Sequence, residues 1–114
     1  MHKIYIPCPE YHMNFSIVNS NAPGYCTPVI KFPIDRIKFN KKYLSYANKV
    51  SEKSVNYIVT DFHLEGWEPI FLNPKNYLID GQHRLAAAKK MKLKFIDIVI
   101  IDEKKGGYHN ANFL

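Results

Sequence analysis

Residues 76–90 read NYLIDGQHRLAAAKK: an apolar run, Asp-Gly, three polar side chains and an alanine-rich stretch. A strand that passes into a helix through a single glycine must lay that helix against the sheet it has just left. Ala86, Ala87 and Ala88 are small enough to allow a close approach. The next apolar run, FIDIVII from Phe95 to Ile101, is nearly continuous in β-branched and aromatic residues. Such a run predicts a strand buried on both faces. Strand, turn, helix, strand is therefore the frame into which the other segments must fit.

The preceding segments supply the remaining elements. PVIKFPID (Pro28–Asp35) alternates side chains as a strand does and is ended or edged by Pro33. Val55, Ile58, Val59 and Phe62 fall on one helical stripe. Ser51 is the expected N-cap, with Glu52 in the first turn and Val50 spaced to staple against Val55. Gly66 is expected to end that segment, and Lys41–Asn48 to be helical as well. Glu68–Leu72 and Tyr77–Ile79 read as strands joined by the turn Asn73–Asn76, and the second helix as Gln82–Met91. That order, strand, helix, strand, strand, helix, strand, predicts an α+β domain with a small mixed sheet and packed helices. Residues 1–27, rich in breakers, read as an irregular arm with one short strand near Phe15–Val18, ahead of a domain over 28–114. The tail after Ile101 is expected to be mostly loop.

At 114 residues the chain suits one core, and 46% hydrophobic with 23% charged residues argues against wholesale disorder. The net charge of +6 favours polyanionic or phosphate-bearing partners. Fourteen lysines supply most of it; the only arginines are Arg36 and Arg84. A lysine excess is first of all a solvated surface. Arg84, inside the turn, is the informative cation, because a guanidinium is a rigid fork for phosphate. Cys8 and Cys26 lack metal-ligand spacing. No signal peptide is visible, and no apolar run approaches ~20 residues. The expectation is a cytoplasmic protein with reduced thiols and no membrane partner.

The turn itself points to phosphate capture. Gly81 permits tight backbone approach, and Gln82, His83 and Arg84 open the helix. Amides in a first helical turn lack intrahelical partners and carry partial positive charge. An anion there would meet those amides, Arg84 as a bidentate donor, and His83. Asp80 has three open roles: a Mg²⁺ ligand, a base toward a hydroxyl, or the helix N-cap. The structural alternatives are plain: Asp80 as cap, His83 bonded to nearby backbone, and Arg84 paired with Asp80 or Asp97. Four polar residues around one glycine favour a site, with Asp80 and His83 as candidate catalytic groups and Gly81, Gln82, His83 and Arg84 as binding residues.

LIDGQHRLAAAKKMKL also resembles the signature of the ParB/sulfiredoxin superfamily, a Gly-x-x-Arg turn that follows a strand and opens a helix. IKFPIDRI (Ile30–Ile37) resembles that family's first strand and Pro-Ile-Asp box. LEGWEPIFLNPKNYLIDG (Leu64–Gly81) resembles its strand leading into the turn, and FIDIVII its closing strand. The likeness runs from Val29 to Ile101. It implies a compact α+β fold that binds nucleotide phosphates at the turn. In the chromosome-partition branch a Gly-Glu-Arg-Arg turn binds CTP with Mg²⁺, and Gly81 and Arg84 match it. In sulfiredoxin the turn is Gly-Gly-Cys-His-Arg; His83 and Arg84 match, while Gln82 stands where the reactive cysteine would be. The free-serine kinase branch has an Asp-Gly-x-x-Arg-like turn, matched by Asp80. The spelling Asp-Gly-Gln-His-Arg also resembles domains encoded with DNA-modification and phage-defence systems.

The resemblance implies a nucleoside triphosphate with Mg²⁺ as ligand, Asp80 at the metal, and a hydrolase or phosphotransferase activity. One alternative is a nucleic-acid binding or nuclease protein, using Lys89, Lys90, Lys92 and Lys94 with Asp80 and His83. Another is a non-catalytic interaction module. DNA, a protein partner and a second copy of the chain are the further candidate partners.

Overall fold

The apolar run Phe95–Ile101 becomes the strand around which the molecule is built. The structure, a computed structural model, describes residues 3–14, 26–45 and 49–102. The strand expected near Phe15–Val18 lies outside them, as does the tail beyond Asp102. Four strands form one sheet: β1 (Cys26–Pro33), β2 (Ile70–Leu72), β3 (Leu78–Asp80) and β4 (Phe95–Ile101), in the order β1-β4-β2-β3. β4 is antiparallel to β1 and parallel to β2, and β2 is antiparallel to β3. An inner strand is covered on both faces, and Ile96, Asp97, Ile98 and Val99 are all buried. The helices are α1 (Glu10–Met13), α2 (Glu52–Thr60) and α3 (Gln82–Lys90). This is the expected mixed sheet with packed helices, an α+β domain.

The core is assembled from alternate strand positions facing α3. Ile70, Leu72, Leu78, Ile96 and Ile98 pack with Leu85, Ala88 and Leu93, and Ile100 joins their margin. Ala87 and Ala88 are fully buried, as close helix–sheet packing requires. Gly81 lies in the left-handed region at φ 108, where an L side chain is strained. A Cβ there would also stand 2.5 Å from Ile70 Cγ2 and 2.8 Å from Ile70 Cβ. The turn must therefore be glycine on two independent grounds.

Asp97 interrupts the apolar run, and its carboxylate, 1% exposed, is met by three donors. The Tyr5 hydroxyl donates to Oδ1 at 2.6 Å, the Cys8 amide to Oδ2 at 2.8 Å, and the Lys31 amide to Oδ1 at 2.8 Å. Lys31 has φ 55 and sits where the β1–β4 register shifts, between Val29 and Phe32. The bulge turns its amide from the strand ladder to Asp97. The same carboxylate ties down residues 5–8, and the segment goes on to place Cys8 and Met13 in the core. Trp67, 2% exposed, donates its indole N–H to the Ile6 carbonyl at 3.0 Å.

Both long helices form where the sequence places them, and only the C-terminal end of α2 differs from the one expected. Ser51 caps α2, its hydroxyl accepting from the Ser54 amide at 3.2 Å. Val50 is 39% exposed and adds little as a staple to the buried Val55. α2 stops at Thr60 with Asp61 as C-cap, well before Gly66, which lies in a later 3-10 turn at Leu64–Gly66. The chain leaves the helix axis there and brings the ring of Phe62 to 5.3 Å from that of Trp67. The helix expected over Lys41–Asn48 is instead a 3-10 turn at Lys41–Tyr43, and residues 46–48 lie outside the described residues. The sheet edge wins this competition: the Ser45 amide donates to the Ile79 carbonyl at 2.8 Å. Lys38 likewise bonds the backbone of Asn76 and Leu78, so this segment covers β3.

α3 ends without glycine. Lys92 takes the left-handed conformation at φ 63, its amide bonding the Lys89 carbonyl and that of Leu93 the Ala88 carbonyl. This is a Schellman closure with a lysine in the position that favours glycine. Lys92→Gly is expected to raise stability by about 1 kcal/mol, the scale of the left-handed penalty, read from urea melts. Gly81→Ala, which adds both strain and the Ile70 clash, should lower it by about 2–4 kcal/mol. Asp97→Ala leaves three donors without their acceptor, the Cys8 amide buried and the other two part-buried, and a loss of about 3–5 kcal/mol is expected in the same melts.

Candidate functional site

β3 delivers the chain to Asp80, Gly81 turns it, and α3 carries Gln82, His83 and Arg84 in its first turn. All five predicted site residues are thus brought together, with Gly81 buried and the other four half-buried. The first intrahelical bond runs from the Leu85 amide to the Gly81 carbonyl at 2.9 Å. The amides of His83 and Arg84 precede it and belong to the open end of the helix. The N-cap is Gly81, which has no side chain with which to cap the helix. Asp80 is therefore not the cap. Its Oδ1 accepts the Gly81 amide at 2.8 Å, which holds a carboxylate at the mouth of the turn.

His83 is engaged through one nitrogen. The Ser51 amide donates to its Nε2 at 3.0 Å, joining the α2 N-cap to the first turn of α3. As an acceptor Nε2 carries no proton, so Nδ1 holds the ring's N–H. Sequence reasoning anticipated a bond to nearby backbone; the partner is 32 residues away.

Arg84 forms neither of the ion pairs considered for it. Its Nη2 donates to the Pro69 carbonyl at 3.2 Å, and its Nε is buried with no hydrogen-bond partner. The ion pairs found among the described residues join Asp61 with His63 and Glu52 with Lys90, and neither involves Arg84. A half-buried guanidinium thus faces one neutral carbonyl and no paired carboxylate. Such a charge is costly to bury until an anion meets it.

Two neighbours of this arginine were not marked by the sequence. Pro69 is one, at the entrance to β2. Cys8 is the other: burial pushes its thiol up to about 12, with Asp97 adding to the rise and the Arg84 charge acting against it. The thiol beside Arg84 is therefore protonated at neutral pH. Tyr5 is raised by burial and by its bond to Asp97, and Cys26 by burial alone. The signal that could have exposed this neighbourhood was Asp97, a lone carboxylate inside an otherwise apolar strand.

No three His, Cys, Asp or Glu side chains gather as a metal site among the described residues. Asp80 offers one carboxylate, which fits Mg²⁺ only where phosphate oxygens and water complete the shell. The four lysines of the alternative reading lie at the far end of α3 and beyond. Lys90 is already engaged, its Nζ 2.7 Å from Asn56 Oδ1 and 3.5 Å from Glu52 Oε2. No helix among the described residues is long and apolar enough to cross a membrane.

No protein-family model matches the chain, and no curated protein matches it significantly. Solved structures do resemble it. A pNOB8-like ParB N-domain superposes with a TM-score of 0.54 at 22% identity, over 68% of this chain and 28% of that one. The sulfiredoxin of Arabidopsis thaliana superposes with a TM-score of 0.51 at 20% identity, over 74% of this chain and 97% of that one. The chain thus spans less than a third of the ParB structure and nearly all of the sulfiredoxin. Each superposition takes in more than two thirds of the residues, so this chain has the ParB/sulfiredoxin-like fold that its turn motif led us to expect.

Proposed function

We propose that the Asp80–Arg84 turn binds the phosphates of a nucleotide. The observation that carries this reading is Arg84, a half-buried cation with an unpartnered Nε and no ion pair among the described residues. A phosphate group is an anion whose oxygens suit both the guanidinium fork and the opening amides of α3. The Nδ1–H of His83 adds a donor, since Nε2 is spent on Ser51. Gln82, the first residue of the helix, stands at the same rim.

Asp80 gives the turn a reason to take its phosphate together with a cation. Its carboxylate sits on the Gly81 amide and repels a bare phosphate. Mg²⁺ would supply charge neutralisation between that carboxylate and the phosphate oxygens. Asp80 would then serve as its protein ligand, with Asp80 and His83 the groups able to handle a proton in hydrolysis or phosphoryl transfer. Thiol chemistry is a weaker reading of the same turn, because Gln82 carries no sulfur and the Cys8 thiol is held protonated. A DNA-related setting agrees with the ParB N-domain likeness and stays part of this proposal.

Calorimetry with ATP, ADP, CTP and GTP, with and without Mg²⁺, tests the reading. At least one nucleotide is expected to bind, more tightly with Mg²⁺, and Asp80→Asn should remove the Mg²⁺ enhancement. Arg84→Ala should weaken binding by about 1.5–3 kcal/mol, the worth of a hydrogen bond to a charged group. It removes the Nη2 bond to the Pro69 carbonyl but orphans no carboxylate, so the melting temperature should fall by only a few degrees. Failure of all four nucleotides to bind at millimolar concentration would overturn the proposal.

A further inference from the structure

A second surface lies along the outer edge of β3 and shares no residue with the Asp80–Arg84 turn. There the backbone of Lys38 bridges to Tyr77, and its Nζ stands 5.5 Å from the centre of the Tyr77 ring. Tyr77 and Tyr43 pair with centroids 4.6 Å apart and planes inclined by 33°. Lys42 places its Nζ 5.1 Å from the centre of the Tyr43 ring. Beside Tyr43 opens a cavity of about 520 Å³, walled by Tyr43, Ser45, Asn73, Lys75, Ile79 and Asp102. Lys38, Lys41, Lys42 and Lys75 are exposed, and Asp102 is the carboxylate in the wall.

Each feature narrows the occupant. Four ammonium groups exposed along one edge suit a partner with several spaced negative charges. The cavity falls in the range of small-ligand sites, and the Tyr43 ring and the side chain of Ile79 give it apolar lining suited to a planar heterocycle. Ser45 and Asn73 are polar groups able to meet the edge of such a ring. The Asn73 Oδ1 is used by the amides of Lys75 and Tyr77, so its amide N–H₂ is the group left to donate to a ligand. An acidic peptide would use the lysines and leave the cavity without a purpose. A duplex keeps its bases stacked inside and cannot place one there.

The lysines now resting on the tyrosines do not block this use. An exposed cation over a ring is a weaker contact than a stacked base. A base arriving at Tyr43 therefore displaces the Lys42 ammonium, which is then free to meet the adjoining phosphate.

We propose that this edge binds single-stranded nucleic acid, with one base in the Tyr43 cavity and the backbone along Lys38, Lys41, Lys42 and Lys75. The test is fluorescence anisotropy on the full chain with labelled dT and rU oligonucleotides of about 15 nucleotides. Both single strands are expected to bind more tightly than a duplex of equal length. Affinity should fall with salt at a log–log slope of up to about −3, four contacts at the single-strand value. Lys42→Glu with Lys75→Glu should lower affinity at least about tenfold. Tyr43→Leu should lower it by about 5–100-fold with the salt slope unchanged, the mark of lost stacking rather than lost charge. Lys89→Glu with Lys94→Glu, at the C-terminal end of α3 and just before β4, should change it less than about twofold, and so should Arg84→Ala. Absence of a salt-sensitive single-strand complex would overturn the proposal, as would equal binding of duplex or equal loss from the Lys89 and Lys94 reversals. Because Arg84→Ala separates the two surfaces, failure here leaves the nucleotide reading of the turn to its own experiment.

Discussion

The Asp97 carboxylate, buried in the central strand, is the interaction on which the rest of the molecule is hung. A charge taken out of water costs several kcal/mol unless hydrogen bonds replace its hydration. Here the replacement comes from Tyr5, Cys8 and Lys31, which belong to two segments otherwise distant in the chain. The N-terminal segment and the β1 bulge are therefore mutually dependent: each makes the buried carboxylate tolerable for the other. The parallel pairing of β2 with β4 sets Ile70 opposite Ile98, and Pro69, one residue earlier, comes level with this polar centre. Arg84 reaches the same region to find the Pro69 carbonyl.

The site inherits its geometry from that arrangement. Gly81 sits against Ile70 with no room for a side chain, so the turn and the start of α3 are pinned to β2. His83 extends the bracing to the N-cap of α2 through Ser51. What remains for a ligand is the open end of α3, one Nδ1–H, a carboxylate at the mouth, and a guanidinium short of an anion. A helix end satisfied by the side chain of its own N-cap residue would have less such appetite, and glycine at that position is part of the same picture. The fold is shared with ParB N-domains and sulfiredoxin, while the chemistry must be argued from the residues this chain places at the turn.

Where reading the sequence succeeded, the controlling physics was local. Ser51 caps α2 because a hydroxyl ahead of a helical stripe meets the amide three residues on. Asn73–Asn76 turns because the Asn73 side chain bonds the amide of Lys75 within the turn and that of Tyr77 just after it. FIDIVII forms the strand expected, because only an inner strand can hide so many branched side chains on both faces. Where it failed, a long-range bond outbid a local preference. Lys41–Asn48 has helical character, yet the unpaired edge of β3 takes the Ser45 amide and the helix goes no further than a 3-10 turn at Tyr43. Gly66 looked like a helix stop, but Phe62 is drawn to Trp67 earlier in the chain.

The strand–glycine–helix passage, the polar cluster around it and the class of fold were determined by the sequence itself, since dihedral limits and side-chain periodicity act over a few residues. Only the tertiary structure decided that Arg84 would find Pro69 rather than an acid, that His83 would accept from Ser51, and that Asp97 would gather Tyr5 and Cys8. It alone brought Tyr43 and Tyr77 into one tilted pair beside a cavity. These partners lie 15 to 92 residues apart, at separations where no local propensity links one side chain to another. Their meeting is set by strand order and register, which become known only when the sheet has closed.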